Sequence, residues 1–529
     1  MAIINPKAIE ANQPIERRSR EQGEDAARND NGWTQAPPAY EEIAIDRTIN
    51  EEFSQPVQGP SWSTIEETPS KIWISPLIKQ YTCNATFSLS ANVSTFIRAN
   101  GTGYNGWLRI ASSSELKEDV WKSMHGDEGV MDRIGVIVQT RFTHSELLDL
   151  ITLNKMREER DDQIISEGIS LKSGEMGTRG NRFINISILV YLPESIYRTS
   201  IGLARDGSSY FSSLNLFSDN LQIIFDGINP SSKFTFSKLV ANARISGITL
   251  RMDLIAKESI VLSSELGQIS DFLSSKPSIL TIAAPKISIF SQNGSIQLSA
   301  IIAIDEIELS TINGGINVTQ IAIAKKVTCT SREGSLRGRF SAYNNLSLKT
   351  TTAIVEVGVN ANKEKYKEEL IKSGLLAILD PNKEEEVLAV QQSEINWRKL
   401  EVKAFTELGT TLVKYNDQDK ETQLISEVIS LTGSVNVSHS DIFQGKVEFE
   451  TTIGSISIHD SFEEEENTKN QKTFEVDLGH SELKEGKYVQ GRIFLLNPGW
   501  KAVGPDRNHS FPLSHSRLFS KIGRVESSF

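Results

Sequence analysis

The sequence predicts an all-β protein whose main part is a single-stranded β-solenoid, a β-helix-like stack of coils of about 20 residues each. Three observations predict this fold. Glycines recur at a constant interval at Gly294, Gly314 and Gly334, apolar residues keep a fixed distance from each glycine, and Ser or Thr stands three residues before it. A fixed period of this length is the signature of a repeat protein.

The apolar positions decide between coils and hairpins. Asn313 and Gly314, in "STINGGINVTQ", form by themselves a strong hairpin signal. A meander of hairpins, however, seldom holds every apolar position in phase. Here Ile296, Ile316 and Leu336 each follow a glycine by two residues. Coils stacked about 4.8 Å apart must align equivalent residues into ladders, so the phasing favours a solenoid.

The residues around each glycine predict a corner. We expect the glycine to supply a positive φ, and the neighbouring hydroxyls to hydrogen-bond from coil to coil. Those hydroxyls belong to Ser291, Thr311, Ser331, Thr350 and Thr451. The same arrangement of apolar residues, hydroxyl and glycine, which we call the repeat frame, returns around Gly433 and Gly454. Upstream, Gly207, Gly227, Gly247 and Gly267 keep the same interval, although the apolar positions around them drift by one.

Composition and hydrophobic runs divide the chain. Residues 1–70 show no sustained apolar period, so we expect a disordered head. Residues 71–195 contain short apolar runs such as "FINISILVYLP" and predict a β-rich segment. Within it, "HSELLDLITLNKMREERDD" fits a helix and a strand almost equally. The solenoid is assigned to 196–460, and an irregular, mildly basic tail to 461–529.

A charged insertion interrupts the repeats at about 360–405. Tyr366, Leu370 and Leu375 follow one another at helical spacing, and Pro381 would end a helix. We expect a helical loop that packs over the side or the end of the solenoid.

Charge and cysteine usage limit the partners and the compartment. The 56 Lys and Arg against 68 Asp and Glu give a net charge of −12, the wrong sign for general attraction to nucleic acid or anionic membranes. Two cysteines, Cys83 and Cys329, cannot build a disulfide framework. No signal-peptide pattern and no apolar run that could span a bilayer are present. These features favour a cytoplasmic protein.

The clearest functional motif is the PPxY peptide in the head, Pro37, Pro38 and Tyr40. Two prolines favour polyproline II geometry, and the tyrosine fits the aromatic-lined groove of a WW domain. The usual readers of such peptides include ubiquitin ligases, so a WW-domain protein is the predicted partner. The alternative is a Pro-rich turn that binds nothing.

Other candidate sites have simpler interpretations. "GTGYNG", Gly101 to Gly106, matches a dinucleotide-binding string, but a strand rather than a helix follows it. Cys329 takes the ladder position of Ile289 and should be buried. His439 and His459 are separated by one repeat interval, yet they stand at different distances from their glycines and should face differently. "HGDEG", from His125, is predicted to be a solvated turn.

No catalytic residue, cofactor site or metal site is predicted. The chain lacks a G-x-S-x-G, an H-E-x-x-H and a P-loop string. A carbohydrate-active β-helix would need clustered carboxylates on one face. The exterior positions beside the glycines are instead polar and poor in carboxylates: Gln297, Asn317, Arg337, Asn436 and Ser457.

The repeated units, [Asn/Thr]-x-Gly-[Ser/Gly]-[Ile/Val]-x-[Val/Ile/Leu], resemble the adhesin-type β-repeat domain, an uncharacterised family found in bacteria and fungi. A PPxY-bearing head followed by such repeats is similar to uncharacterised fungal proteins. The resemblance covers about 185–460 and implies an architecture without catalytic residues. We therefore expect a non-enzymatic scaffold or interaction protein. A self-assembling structural solenoid and a carbohydrate-active enzyme are the second and third hypotheses.

Overall fold

The computed structural model describes residues 55–58, 62–63, 65–68, 80–125, 133–160, 163–174, 182–193, 211–227, 233–271, 280–372, 398–419, 422–440, 443, 445–459, 471–477, 487–496 and 514–528. These residues all fall in the unit Phe53–Phe529. They are mostly β-strand, as the sequence predicts.

The first strands are β1 (Gln55–Gln58), β2 (Glu66–Thr68), β3 (Gln80–Ser90), β4 (Ser94–Asn100), β5 (Asn105–Ser112), β6 (Arg133–Phe142), β7 (Ile151–Arg160), β8 (Gln163–Ser173) and β9 (Ile184–Leu192). The next are β10 (Phe211–Ser218), β11 (Gln222–Phe225), β12 (Lys233–Ala243), β13 (Ile248–Leu250), β14 (Asp253–Ser264), β15 (Ile269–Asp271), β16 (Thr281–Ser291), β17 (Ile296–Thr311), β18 (Ile316–Ser331), β19 (Leu336–Thr350) and β20 (Val355–Ala361).

The last strands are β21 (Arg398–Leu408), β22 (Thr411–Gln418), β23 (Thr422–Thr432), β24 (Val435–Ser438), β25 (Gly445–Ile453), β26 (Ile456–His459), β27 (Gln471–Asp477), β28 (Lys487–Leu496), β29 (Ser514–Ile522) and β30 (Val525–Ser528). Two α-helices, α1 (Glu118–His125) and α2 (Lys363–Lys372), and short 3-10 helices at Ser113–Glu115 and Ser145–Leu150 complete the described elements.

The described strands form one hydrogen-bonded sheet of 30 strands arranged as two columns. The first column runs β1, β7, β8, β4, β10, β12, β14, β16, β17, β18, β19, β21, β23, β29, β25, β28, β27. The second runs β2, β3, β6, β9, β5, β11, β13, β15, β17, β18, β19, β20, β22, β24, β30, β26. The long strands β17, β18 and β19 begin in the second column and end in the first.

Between β8 and β25, each first-column strand and the second-column strand that follows it in sequence make one rung. From β8 to β25 and from β9 to β26 all neighbours are parallel, and equivalent residues align into ladders. One inner ladder contains Ile289, Leu309, Cys329, Leu348, Ala404, Val428, Leu518 and Phe449. All of these side chains are buried, so the ladder is part of the main hydrophobic core.

Glycine is required at the corners because of space rather than backbone angle. A Cβ added to Gly314 would stand 2.0 Å from the carbonyl oxygen of Gly294, and one added to Gly334 would stand 2.0 Å from that of Gly314. These three glycines are not among those with a positive φ, so the predicted reason was wrong for them. It holds for Gly433 and Gly454, whose φ values are +143° and +158°.

The hydroxyl ladder links neighbouring rungs through the backbone. Ser291 Oγ donates to the carbonyl oxygen of Gly267 at 3.0 Å, and Ser331 Oγ to that of Gly314 at 2.9 Å. Equivalent bonds to the preceding corner are made by Thr350, Thr406, Ser430, Ser520 and Thr451. Thr311 differs, since it donates to Gly314 of its own rung. The predicted rung-to-rung bonding is thus present, with carbonyl acceptors.

Both ends of the parallel stack contain a rung that is out of sequence order. Rung β4/β5 lies between β8/β9 and β10/β11. Rung β29/β30 lies between β23/β24 and β25/β26. Antiparallel strands cover the outer edges beyond them: β7 and β1, β6 and β3, and β28 with β27.

The head and the tail are more ordered than predicted. Strands β1 and β2 lie within the 1–70 segment assigned to disorder, because short polar strands here gain partners in β7 and β3. The 461–529 tail, predicted to be irregular, supplies β27 to β30. The sheet also continues across the predicted boundary at 195, since β10 pairs with β4. Gly207 lies outside the described residues, and Gly227 follows β11 instead of marking a corner.

The insertion contains a helix, as predicted. The insertion itself is shorter than the predicted 360–405, because β20 ends at Ala361 and β21 begins at Arg398. Helix α2 buries Tyr366 and Leu370 against an outer apolar strip that includes Ile323 and Tyr343. The Arg398 guanidinium lies 4.8 Å from the Tyr343 ring centroid, and its Nε donates to the Tyr343 carbonyl oxygen at 2.6 Å. Leu375 and Pro381 lie outside the described residues.

The ambiguous stretch near residue 150 is mostly strand. Only Ser145–Leu150 is helical, as a 3-10 helix that buries Leu147. Ile151–Arg160 then forms β7, because it pairs with β1 and β8 on either side. Pairing between strands therefore outweighs the helical spacing of its apolar residues.

Two adjacent glycines test the corner. We expect Gly314→Ala to lower the free energy of unfolding by about 3 kcal/mol, because its Cβ would collide with the Gly294 carbonyl. Gly315→Ala is the matched control: its Cβ would stand 3.2 Å from the Ser335 carbonyl oxygen, and the loss should stay below about 1 kcal/mol. Ile316→Ala, in the ladder, should cost about 2–5 kcal/mol. Urea unfolding measures all three, and equal values for the two glycine variants would contradict the close-packed corner.

Candidate functional site

The predicted recognition peptide, Pro37, Pro38 and Tyr40, lies outside the described residues. The structure therefore leaves this prediction as it stands.

The glycine-rich string is a turn between strands. Gly101 and Gly106 both have a positive φ, and the Gly101 N–H donates to Asp219 Oδ2 at 2.7 Å. Strand β5 begins at Asn105, within the string, so no helix N-terminus is available to hold a pyrophosphate. The predicted strand after this string is confirmed.

The predicted cysteine and histidine positions are largely structural. Cys329 is buried in the inner ladder, and burial raises the pKa of its thiol. His439 is buried and stacks on Tyr415, with ring centroids 5.4 Å apart. His459 pairs with Ser528, while the N–H of His439 donates to the Ser528 carbonyl, so the two histidines are not at equivalent positions, as predicted.

The prediction of a solvated turn at "HGDEG" is wrong for His125, and residues 126–129 of this string lie outside the described residues. It ends α1, where its ring packs on Trp121 with centroids 4.1 Å apart and its Nδ1 hydrogen-bonds with Ser88 Oγ at 2.7 Å. Burial, together with the charge of Arg133, lowers the pKa of His125 to about 4. The ring is therefore neutral near pH 7 and serves packing.

The exterior column beside the corners carries more charge than predicted. Glu356 follows Arg337 in register, and their side chains form an ion pair at 3.3 Å. Glu526 stands between Asn436 and Ser457, because rung β29/β30 intervenes there. The sequence pattern already aligned the rung of Glu356 through Thr350, so this carboxylate could have been placed in the column. Glu526 could not, because its rung enters the stack out of sequence order.

A second charged cluster lies where the first rungs meet. Arg109 binds Glu115 Oε2 through Nη2 at 2.7 Å and Asp226 Oδ2 through Nε at 2.9 Å. Arg251 contacts the same Asp226 oxygen at 3.5 Å. Burial raises the pKa of Glu115, although the Arg109 guanidinium opposes this effect. Because one guanidinium binds both carboxylates, the cluster connects neighbouring rungs by ion pairs.

The inserted rung β29/β30 is the candidate functional site. Its sequence carries part of the repeat frame, with Ser520 three residues before Gly523, Leu518 five before it and Val525 two after it, whereas Ser516 and Ser527 occupy the two other apolar positions. Leu518 and Val525 are buried, and Ser520 donates to the Gly433 carbonyl at 2.7 Å. A weakened repeat signal was therefore present in the tail, and it was missed because serines replace two apolar positions and a long stretch without this frame precedes it.

Charged side chains line the outer side of this rung. Arg517 reaches Glu427 on β23 at 3.8 Å and Glu450 on β25 at 3.5 Å. His515 Nε2 lies 3.7 Å from Glu448 Oε2, and Lys446 Nζ binds the same carboxylate. Partly exposed pairs of this kind contribute little stability. The charges on β29 are nevertheless opposite to those they face on both β23 and β25.

The first rungs contain a buried carboxylate in the inner ladder. Glu167 pairs in register with Thr95 and is only 2% exposed. Its Oε1 lies 2.9 Å from Lys155 Nζ and 3.1 Å from Arg157 Nη2, and its Oε2 accepts from the Ser90 N–H at 2.7 Å. Burial opposes ionisation, but these hydrogen bonds and charges outweigh it and hold the pKa of Glu167 below its ordinary value.

The described residues hold no group of three His, Cys, Asp or Glu side chains that could bind a metal ion. Of the helices in the described ranges, none is long and apolar enough to cross a bilayer.

Comparison with known proteins gives one distant likeness. No family model and no curated protein matches the chain. Among solved structures, the chain is similar to the crystal structure of a "putative cell adhesion protein" from Clostridium sporogenes, with 7% identity over 84% of this chain and 98% of that one, at a TM-score of 0.14. A likeness with this TM-score supports no argument about function, and the resemblance to adhesin-type repeats stays a prediction.

Glu167 should make stability depend on pH. A depressed pKa means that the cluster stabilises the fold above the ordinary Glu value of 4.5 and loses this effect as the pH falls through the lower, folded value. We expect Glu167→Gln to cost about 3 kcal/mol at pH 7, because Lys155 loses its buried partner. The cost should shrink at pH 3, because this pH lies below the ordinary Glu value and protonation of the unfolded chain then offsets the stability that the folded carboxylate provides.

Urea unfolding of both proteins at the two pH values measures this. The control is Glu159→Gln, which removes an exposed carboxylate 3.6 Å from Arg157 and should change stability by less than about 0.5 kcal/mol. An equal cost of Glu167→Gln at pH 7 and pH 3 would contradict the role of its charge.

Leu518 tests whether the inserted rung is part of the core. Leu518→Ala should lower the free energy of unfolding by about 2–5 kcal/mol and increase hydrogen exchange in β29, because the side chain is fully buried. Lys521→Ala, an exposed position on the same strand, should change it by less than about 0.5 kcal/mol. If both variants behave alike, β29 does not occupy the inner ladder.

Proposed function

We propose that this chain is a β-solenoid scaffold protein without enzymatic activity, adhesin-like in architecture, which binds other proteins. The observation that carries the proposal is the in-register ladder that continues from rung to rung, with each corner bonded to the previous one. Parallel rungs with aligned corners are typical of solenoids. A structure of this kind provides a long, regular support for binding partners.

The distribution of side chains favours a scaffolding role over a chemical one. Most inner positions hold apolar residues or Ser and Thr hydroxyls, as at Leu309 and Ser331. The inner carboxylate of Glu167 is bound by Lys155 and Arg157. Outward charged residues form pairs between rungs, as Lys326 does with Glu306 at 2.6 Å. The carboxylates of Glu115 and Asp226 both form ion pairs with the Arg109 guanidinium. Contacts with partners would therefore fall on the outer faces and on the head.

Recruitment through the head is the second part of the proposal. Pro37, Pro38 and Tyr40 would dock in the groove of a WW domain, such as that of a ubiquitin ligase. Both cysteines of the chain are buried free thiols, which suits a reducing compartment, and we place the protein in the cytoplasm.

A binding assay with full-length chain tests recruitment. The wild type and an Ala39→Ser variant, which keeps the motif, should bind an isolated WW domain specific for PPxY equally well. Tyr40→Ala should reduce the affinity at least tenfold, because it removes the side chain that fills the groove. Titration followed by fluorescence anisotropy gives the dissociation constants. Unchanged binding of Tyr40→Ala would refute the WW-ligand assignment.

A further inference from the structure

We propose that rung β29/β30 is exchangeable between copies of this chain, so that Ser514–Ser528 of one copy fills the equivalent position in a second copy. The two rungs that flank it, β23/β24 and β25/β26, form the slot that receives it. This proposal goes beyond the scaffold function and does not depend on the PPxY peptide.

The position of the rung in the stack is the first argument. Rung β29/β30 lies between two rungs that precede it in sequence, and residues 460–513 separate it from β26. Among the described residues, no later strand follows β30. When rung β29/β30 leaves the slot, it therefore pulls no later rung of the described sheet out of place.

The contacts in the slot are the second argument. β29 pairs in parallel with β23 on one side and β25 on the other, and β30 pairs with β24 and β26. Ser514 Oγ also accepts from the Leu424 N–H at 3.0 Å. The same contacts form whether the strand comes from its own chain or from another copy. Exchange of an identical element is a low-cost route to dimers for this reason.

The reach of the connection is the third argument. Residues 497–513 join β28 to β29. A fully extended segment of that length spans up to about 55 Å, so a strand that leaves the slot can move away from it while it stays joined to β28.

The slot can also close without its strand, which is the fourth argument. The interval from Gly433 to Gly454 is only one position longer than the interval from Gly294 to Gly314, whose rungs are direct neighbours. Thr451 now donates to the Gly523 carbonyl and Ser520 to that of Gly433. If the inserted rung leaves, Thr451 has an equivalent acceptor in Gly433. A chain with its strand released therefore keeps a complete corner ladder.

Engineered cysteines test the exchange in the full-length protein. Glu427 and Arg517 are register partners on neighbouring strands, with side chains that face outward, and adjacent strands suit a disulfide. The double variant Glu427→Cys, Arg517→Cys should close a disulfide within one chain. When the two single variants are mixed at high concentration and oxidised, we expect a mixed dimer joined through positions 427 and 517, identified by mass spectrometry of the linked peptides.

The control replaces Glu427→Cys with Lys403→Cys. Lys403 stands in the same column one rung further away, so two strand spacings separate it from Arg517. We expect at least fivefold less mixed dimer with this variant, which accounts for random surface collisions. Native Cys83 and Cys329 are buried and should not react. If Glu427→Cys disturbs folding, Ile425→Cys with His515→Cys provides a second register pair.

Two results would overturn the proposal. One is intramolecular closure of the double variant with no excess of mixed dimer over the Lys403→Cys control, which would mean that the strand stays in its own chain. The other is failure of both double variants to close, which would mean that β29 does not lie beside β23. Neither result bears on WW-domain binding, so the two proposals fail separately.

Discussion

The close approach of successive corners is the constraint on which the rest of the structure depends. Each corner backbone lies so near to the next that a Cβ at Gly314 would stand 2.0 Å from a carbonyl oxygen. The hydroxyl of a Ser or Thr in the following rung then bonds that carbonyl, as Ser331 does. Together these contacts fix the register of the rungs whose corners carry them, and the inner ladders there follow from that register.

The sequence predicts the middle of the fold well because the signal there is local and periodic. Ile296, Ile316 and Leu336 stand in one ladder because equal spacing places equal residues on equal positions. Parts of the fold that depend on pairing between distant segments were not predictable. Strand β7 shows this, since its apolar spacing also fits a helix and only its neighbours decide the outcome.

The candidate sites show the same division. Part of the repeat frame around Gly523 was readable in the sequence, but its place between β23 and β25 was not, because no local pattern indicates insertion out of order. Glu167 gave no signal either. Its burial depends on Lys155 and Arg157 from the neighbouring strand, and only the register brings them together. Recognition through Tyr40 and membership of the adhesin-type repeats remain predictions.

The out-of-order rungs also bear on how the chain matures during translation. Rung β4/β5 is made before β8/β9, yet it must lie between that rung and β10/β11. Likewise β23/β24 and β25/β26 emerge well before residues 514–528. The growing polypeptide can add the middle rungs one by one, but the slot between β23/β24 and β25/β26 is filled only after β29 and β30 have left the ribosome. A chain that ends before Ser514 would have the same middle rungs, with β23/β24 and β25/β26 as direct neighbours.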